Sequence, residues 1–204
     1  PFTNVVTFVY KNYPREKKRE EVNILEVGCG AGNNLWFLAL EGFNVTGIDI
    51  SESAIDYAKK RFKGEGLKGG FYVGNLAVDF PFSETNFDLI IDRGALTYLS
   101  IEECKKTIKK LTGMTNPEGR LFFNPYSDRH SFCAAGEYNS EGSTVNIKNV
   151  HRNTDNITFY GRKDIFTVFN DKWEIESVRQ INDEDQTKPG FFINSFWEII
   201  AKKK

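Results

Sequence analysis

The stretch ILEVGCGAGN at residues 24–33 constrains the fold more than any other part of this 204-residue sequence. An apolar run ends there in three glycines, Gly28, Gly30 and Gly32, which alternate with small residues. Because glycine adopts left-handed backbone without strain, this spacing predicts a tight turn from a buried strand into a helix. Such a turn can hold a phosphate, admit a nucleoside or simply redirect the chain.

Strand and helix patterns alternate along the rest of the chain. Beyond an N-terminal helix at 3–11, strands are predicted at 22–27, 44–50, 71–74, 87–91 and 120–124, helices at 33–41, 51–62, 100–111 and 162–169, and a strand pair at 173–181 and 191–201. This order predicts an α/β fold with a doubly wound, mostly parallel seven-stranded sheet and helices on both faces. Two consecutive strands at the end predict one antiparallel edge strand.

A single domain is expected over residues 1–204. Its predicted parts are an N-terminal helix and linker (1–21), a ligand-binding core (22–125), a loop or lid over a substrate (126–161), and a closing helix with the strand pair (162–204). The third part has little periodicity, and so long an irregular stretch is rare in a compact domain unless it has a function.

Two carboxylates restrict which ligands the glycine turn can bind. Glu26 precedes the turn and would repel a phosphate but attract an ammonium group, whereas Asp49 ends the second strand, where a carboxylate can bind ribose hydroxyls. Asn33 stands where the dinucleotide pattern G-x-G-x-x-G has its third glycine, and no Gly-Lys-Ser/Thr follows. A ligand with a ribose, a flat base and a cationic amino-acid end is indicated, and S-adenosylmethionine has these features.

The stretches LEVGCGAGNN, GIDIS, VGNLAVDFPF and FDLIIDRGALTYL resemble the S-adenosylmethionine-dependent methyltransferases with the seven-stranded α/β fold. The resemblance implies a turn against the methionine portion, a carboxylate on the ribose, contacts to the adenine, and a residue beside the methionine end or the substrate. By this resemblance the turn consists of Gly28, Cys29, Gly30 and Gly32, with Glu26 nearby. Asp49 is implied at the ribose, and Ile50, Asn75 and Leu76 at the adenine. Asp92 is implied beside the methionine end or the substrate. Asn75 departs from the acid common at its position, with Asp79 as the alternative. Cys29 is expected to serve mainly in packing.

The residues after the fifth strand supply the candidates for catalysis. Methyl transfer is an in-line displacement on an activated carbon, so alignment and exclusion of water are expected to be the main factors. A general base is needed only if the acceptor must lose a proton. Tyr126, His130 and His151 are the candidates, although a structural role is an open alternative for each histidine.

Charge and composition bear on the acceptor and the location. A net charge of −1 gives no basic field for nucleic acid, and no Asn-Pro-Pro-Tyr follows the fourth strand, so a small-molecule acceptor is expected. Three scattered cysteines and two histidines predict no metal site and a reducing, cytoplasmic location, and no apolar run long enough for a membrane span occurs. A monomer or homodimer is expected.

Three alternatives stay open at this point. The first is a nicotinamide-dependent oxidoreductase, which Glu26 and Asn33 disfavour. The second is a module that binds S-adenosylmethionine without catalysis. The third is a methyltransferase with a protein or RNA acceptor.

Overall fold

The computed structural model describes residues 1–78, 80–81, 86–140, 142–145, 147, 156–187 and 192–204. Helices and strands alternate through most of this chain as the hydrophobic pattern predicts. Their bounds in chain order are α1 Thr3–Asn12, β1 Asn23–Val27, α2 Asn33–Leu40, β2 Asn44–Asp49, α3 Glu52–Gly64, β3 Gly70–Val73, β4 Phe87–Asp92, α4 Ile101–Met114, β5 Thr115–Phe123, β6 Glu137–Tyr138, β7 Thr144–Val145, α5 Arg162–Thr167, β8 Trp173–Glu184 and β9 Ile193–Lys203.

Seven strands form one mixed sheet in the order β3-β2-β1-β4-β5-β9-β8, which confirms the predicted fold class. The first five strands are parallel, and β9 runs antiparallel to both β5 and β8. The antiparallel strand therefore lies one position inside the edge, because the terminal hairpin docks on β5 through its second strand. Strands β6 and β7 form a separate small hairpin.

The sheet is covered on both faces, so its central strands are apolar on both sides. On β4, Ile90 packs on the face covered by α4 and α5, whereas Leu89 and Ile91 pack on the face covered by α1, α2 and α3. Successive side chains of a strand point to opposite faces, which explains the nearly unbroken apolar run 87–91. None of the helices within the described residues is long and apolar enough to span a bilayer.

Local hydrogen bonds fix where two helices begin. Ser51 caps α3 by accepting a hydrogen bond from the Ala54 N–H at 3.3 Å. Ser100 and Glu103 form the predicted capping box at the start of α4, each side chain accepting from the other's backbone N–H. The turns that follow β2 and β4 and lead into these helices lie at the carboxyl edge of the sheet, where parallel α/β folds bind ligands.

Candidate functional site

The glycine turn brings bare backbone to the carboxyl end of β1. Gly28, Gly30 and Gly32 all have left-handed backbone, with φ of 68°, 53° and 72°. A Cβ on Gly28 would lie 2.1 Å from the Cβ of Ala95, so only glycine fits against the turn after β4. A Cβ on Gly30 would meet no atom within 4 Å, so this backbone faces open space. The two glycines thus have different tasks: one packs, and the other leaves room for a ligand.

Asp49 lies beside this turn at the end of β2. Its Oδ2 accepts a hydrogen bond from the Gly30 N–H at 2.7 Å, and its Oδ1 accepts one from the Ser51 N–H at 2.9 Å. Each carboxylate oxygen has two lone pairs, so the group can still accept bonds from ribose hydroxyls. The next residue, Ile50, is 71% exposed and offers an apolar surface at the same edge.

Glu26 is the most unusual group of the site. It is 2% exposed, and its Oε1 accepts a hydrogen bond from Asn34 Nδ2 at 2.6 Å. Its Oε2 is buried and has no hydrogen-bond partner among the described residues. Burial, together with the negative charges of Asp92 and Asp49, raises the pKa of Glu26 to about 8. A buried acceptor without a donor is costly, and an ammonium group is the donor that would best satisfy it.

Asn34 holds Glu26 in place, and it was not among the site residues predicted from the sequence. It is buried in the first turn of α2, and its Oδ1 accepts a hydrogen bond from the Phe2 N–H at 2.8 Å. Because its amide group therefore bridges the N-terminal segment and Glu26, it fixes the carboxylate. A polar residue within the buried stripe of a helix is the signal that would have found it.

Asp92 is completely buried at the end of β4. Its Oδ1 accepts hydrogen bonds from the N–H groups of Ala95 and Leu96 at 2.8 and 2.9 Å, and its Oδ2 accepts one from Asn124 at 3.3 Å. Burial raises its pKa to about 6 against the effect of these bonds. Asp92 therefore orders the turn after β4, and its contact with a cofactor stays a prediction.

The residues predicted near the adenine lie after β3. Asn75 is exposed, and its Oδ1 accepts a hydrogen bond from the Ala77 N–H at 3.0 Å within a local turn. Leu76 is half-buried, and its carbonyl accepts a bond from the Thr107 hydroxyl at 3.1 Å. Their role at the adenine stays a prediction, and Asp79 lies outside the described residues.

Cys29 is buried within the glycine turn. Burial raises the pKa of its thiol far above the usual range, so the group stays protonated. Gly47 on the neighbouring strand makes room for it, since a Cβ there would lie 2.6 Å from the Cys29 Sγ. This surrounding suits the packing role expected from the sequence.

His130 lies in an aromatic cluster with Tyr126, Phe132, Phe159 and Phe192, whose ring centroids are 4.6–5.6 Å from its own. Its Nδ1 accepts a hydrogen bond from the Phe132 N–H at 3.1 Å. Burial lowers its pKa to about 4 although the Asn194 side chain is a hydrogen-bond partner.

These surroundings make the imidazole of His130 neutral and a weak base at pH 7. They favour the structural alternative, and its catalytic role stays a prediction, as does that of the half-buried Tyr126. His151 lies outside the described residues.

A cavity of about 600 Å³ lies at the opposite edge of the sheet, at the amino ends of the strands. Its lining mixes both signs of charge, and the buried Asp88 in it already pairs with Lys17 at 2.7 Å. No group there is comparable to the Glu26 Oε2, so the chemistry points to the carboxyl edge. Among the described residues, no cluster of three or more His, Cys, Asp or Glu could hold a metal ion.

Comparisons with known proteins bear on the family and the fold of the chain. Residues 24–119 match a family described as a methyltransferase domain. The chain is 30% identical over 108 residues to the phosphoethanolamine N-methyltransferase of Plasmodium falciparum, covering 52% of this chain and 40% of that protein. It is 31% identical over 102 residues to a ubiquinone biosynthesis O-methyltransferase of Coxiella burnetii, covering 50% and 42%. These matches span about half the length of this chain and less than half of either relative.

The fold also matches a solved S-adenosylmethionine-dependent methyltransferase from Methanosarcina mazei, with a TM-score of 0.76, 24% identity and 96% of each chain covered. Residues 24–119, which include the glycine turn, thus match a methyltransferase domain family, and the chain shares its fold with a solved S-adenosylmethionine-dependent methyltransferase.

Proposed function

We propose that this protein transfers a methyl group from S-adenosylmethionine to a small-molecule acceptor. The Glu26 Oε2 carries the proposal, because it is a buried carboxylate oxygen beside an open glycine turn and no described residue donates a hydrogen bond to it. A methionine ammonium would supply that donor, whereas a pyrophosphate would be repelled by Glu26. The latter point disfavours a nicotinamide cofactor.

The residues around the turn would each contact a different part of the cofactor. Asp49 would accept bonds from the ribose hydroxyls, the Gly30 backbone would lie against the methionine portion, and Ile50, Asn75 and Leu76 would line the adenine. When bound, the cofactor supplies a methyl carbon activated by its sulfonium. This division rests on the two N–H groups that already orient Asp49 and on the open space at Gly30.

The chain's contribution to the reaction would be alignment and exclusion of water. The predicted lid, 126–161, is anchored beside the turn after β4. The Thr158 N–H donates to the Thr97 carbonyl at 2.8 Å, and the Thr97 hydroxyl donates to the Thr158 carbonyl at 2.8 Å. These two hydrogen bonds would fix the segment at Thr158 and so hold it over an acceptor. Since His130 is a weak base, we propose a transfer that needs no dedicated general base, to an acceptor whose nucleophile is already unprotonated.

The names of the two relatives, which act on phosphoethanolamine and in ubiquinone biosynthesis, support a small-molecule acceptor. The net charge of −1 supports an acceptor other than nucleic acid. A cytoplasmic location and a monomeric or homodimeric state are parts of the same proposal.

The proposal is tested by measuring release of S-adenosylhomocysteine during incubation with S-adenosylmethionine and a panel of amine, phenol, thiol and carboxylate metabolites. We expect turnover with at least one small acceptor. Asp49→Ala should weaken S-adenosylhomocysteine binding at least about tenfold, the value of one charge-assisted hydrogen bond. Asp56→Ala, which removes an exposed carboxylate from α3, is the matched control and should bind as the wild type does. Binding without turnover on any acceptor would instead support the non-catalytic module.

A further inference from the structure

Within the residues that the structure describes, four arginines are half-buried, and three of them form an ion pair with a glutamate. The pairs are Arg19 with Glu41, Arg61 with Glu65, and Arg120 with Glu176, at 2.8, 3.2 and 2.8 Å. The fourth, Arg93, follows Asp92 at the end of β4, and its guanidinium has no hydrogen-bond or ion-pair partner among the described residues. A charged group that is partly removed from water costs stability unless an acceptor is supplied, and a ligand can supply one.

Two aromatic rings hold the Arg93 guanidinium in place. Its central carbon lies 4.2 Å from the ring centroid of Phe2 and 5.6 Å from that of Phe196. Stacking uses the faces of the guanidinium and leaves its N–H groups, which point outward in its plane, to form hydrogen bonds. A carboxylate suits such a group, because its two oxygens can accept from the fork of N–H groups at once.

Apolar rings surround Arg93 on the side where the predicted lid begins. Tyr126 forms an antiparallel bridge with Phe196, and residues directly opposite each other in such a pair have side chains on the same face. The Tyr126 N–H also donates to the Thr97 hydroxyl at 3.3 Å, beside the turn after β4. Phe2 is 52% exposed, and Phe196 and Tyr126 are half-buried, so these rings can contact a bound molecule. A flat aromatic body would pack well against them.

The charges nearby decide which ionic group suits Arg93. Burial raises the pKa of Glu26 and of Asp92, and the charge of Arg93 opposes that effect, so all three groups interact. A phosphate would bring two negative charges toward the two carboxyl groups, whereas a carboxylate brings one. An acceptor with a cationic group here would be repelled by Arg93 itself. These surroundings favour a carboxylate.

We propose that Arg93 binds the carboxylate of an aromatic methyl acceptor and so determines the specificity of the transfer. This inference rests on the proposed function, since it takes the carboxyl edge of the sheet as the place of methyl transfer. The rings of Phe196 and Tyr126 contact the flat body of the acceptor, and the carboxylate itself is unchanged by the reaction. A separate nucleophile on the acceptor forms the new bond to the methyl carbon, while the bond from that carbon to the sulfonium sulfur breaks and its electron pair stays on the sulfur.

Paired acceptors with and without the negative charge test the proposal in the whole chain. Para-mercaptobenzoate and para-mercaptobenzamide have nearly the same shape and an easily ionised thiol, but only the first has a carboxylate. Para-aminobenzoate and para-aminobenzamide form a second pair. Turnover is measured as release of S-adenosylhomocysteine, and binding to the complex with S-adenosylhomocysteine is measured by calorimetry. For at least one pair, the carboxylate should have the higher kcat/KM, or the lower Kd where neither compound is turned over, by at least about tenfold.

Arg93→Met should reduce this preference for the carboxylate at least about tenfold, because it removes the charge and the fork but keeps an apolar side chain. Arg93→Lys, which keeps the charge but not the fork, should reduce it less. Arg15→Met is the matched control, because the guanidinium of Arg15 also stacks on an aromatic ring, that of Tyr13 at 4.4 Å, but lies in the linker after α1. It should keep the wild-type preference. Binding of S-adenosylhomocysteine by all three variants within about threefold of the wild type would show that they are folded.

An unchanged preference in Arg93→Met would overturn the proposal. So would an equal loss for both members of a pair, since a guanidinium that only balances the charges of Asp92 and Glu26 does not distinguish them. A wild type that binds S-adenosylhomocysteine but prefers no carboxylate would also overturn it, while the proposed function would stand. If the wild type does not bind S-adenosylhomocysteine, the proposed function fails as well.

Discussion

Two buried carboxylates in the same sheet, Glu26 and Asp88, have opposite surroundings. Asp88 is the second residue of β4, at the amino edge, and is 6% exposed. It accepts hydrogen bonds from Lys17 Nζ, Asn116 Nδ2 and the Asn23 N–H at 2.7, 2.7 and 3.0 Å. Glu26 lies at the carboxyl edge, and one of its two oxygens has no partner among the described residues. Both are nearly inaccessible, yet only one is satisfied.

The comparison separates a carboxylate that stabilises the fold from one that, as we propose, binds a ligand. Asp88 ties the linker after α1 and the start of β5 to the sheet through charged and neutral donors. Glu26 is held in position by Asn34 through Oε1, whereas its Oε2 accepts no hydrogen bond from the described residues. Because an unsatisfied buried group costs stability, its presence at the ligand-binding edge indicates a site that binding completes. Four predictions test this difference, in order of decreasing effect.

The largest effect is expected at the amino edge. Asp88→Ala leaves the Lys17 charge and the Asn23 N–H without their acceptor, so it should lower the free energy of unfolding by about 2–4 kcal/mol. Affinity for S-adenosylhomocysteine should stay unchanged at temperatures where the variant is folded. Urea denaturation and calorimetric titration measure the two quantities. A loss of affinity without a loss of stability would reverse the assignment of the two edges.

At the carboxyl edge we expect the converse. Glu26→Gln keeps the shape and an acceptor for Asn34 but removes the charge that would pair with the ammonium. Hydrogen bonds to charged groups are worth roughly 1.5–3 kcal/mol, so the affinity for S-adenosylhomocysteine should fall roughly 10- to 100-fold. The free energy of unfolding without ligand should not decrease at pH 8. Equal affinities of variant and wild type would show that Glu26 does not contact the ligand.

The raised pKa of Glu26 predicts how stability depends on pH. Its ordinary carboxyl value of 4.5 rises to about 8 in the fold. Between these values the folded protein keeps a proton that the unfolded chain releases, so the ligand-free protein should become less stable as pH rises. The slope should reach about 1.4 kcal/mol per pH unit from this group alone. Denaturation of Glu26→Gln over the same pH range should show a stability that depends less on pH. A smaller loss of stability should remain as pH rises toward about 6, because the pKa of Asp92 is raised to about 6.

The smallest effect concerns the bare backbone of the glycine turn. Gly30 and Gly66 both have left-handed backbone, and a Cβ on either would meet no atom within 4 Å. Gly66, however, follows α3, away from the site. Either glycine changed to alanine should cost about 1 kcal/mol of stability through backbone strain. Only Gly30→Ala should also weaken S-adenosylhomocysteine binding, because the added methyl group would occupy the space left for the ligand. A similar loss of affinity in both variants would show that strain alone is responsible.

The sequence predicts those features that local chemistry decides. The glycine turn, the caps at Ser51 and Ser100 and the apolar run of β4 each depend on residues close together in the chain, and the structure has all of them. The spacing of Glu26 and Asp49 from the turn was sufficient to indicate the class of ligand. The family match over residues 24–119 covers the same part of the chain.

What the sequence could not predict depends on contacts between distant residues. The guanidinium of Arg93 contacts Phe2 and Phe196, which are far away in sequence but adjacent to it in space. The weak basicity of His130 likewise follows from its burial, which no local pattern encodes. The position of β9 inside the edge depends on which strand of the terminal hairpin docks on β5, and both strands carry suitable apolar residues.

A crystal structure of the complex with S-adenosylhomocysteine tests the central claim most directly. We expect the ligand at the carboxyl edge of the sheet, with its amino nitrogen at hydrogen-bond distance, about 3 Å, from the Glu26 Oε2. A ligand bound in the cavity beside Asp88, or an amino group turned away from Glu26, would contradict the account.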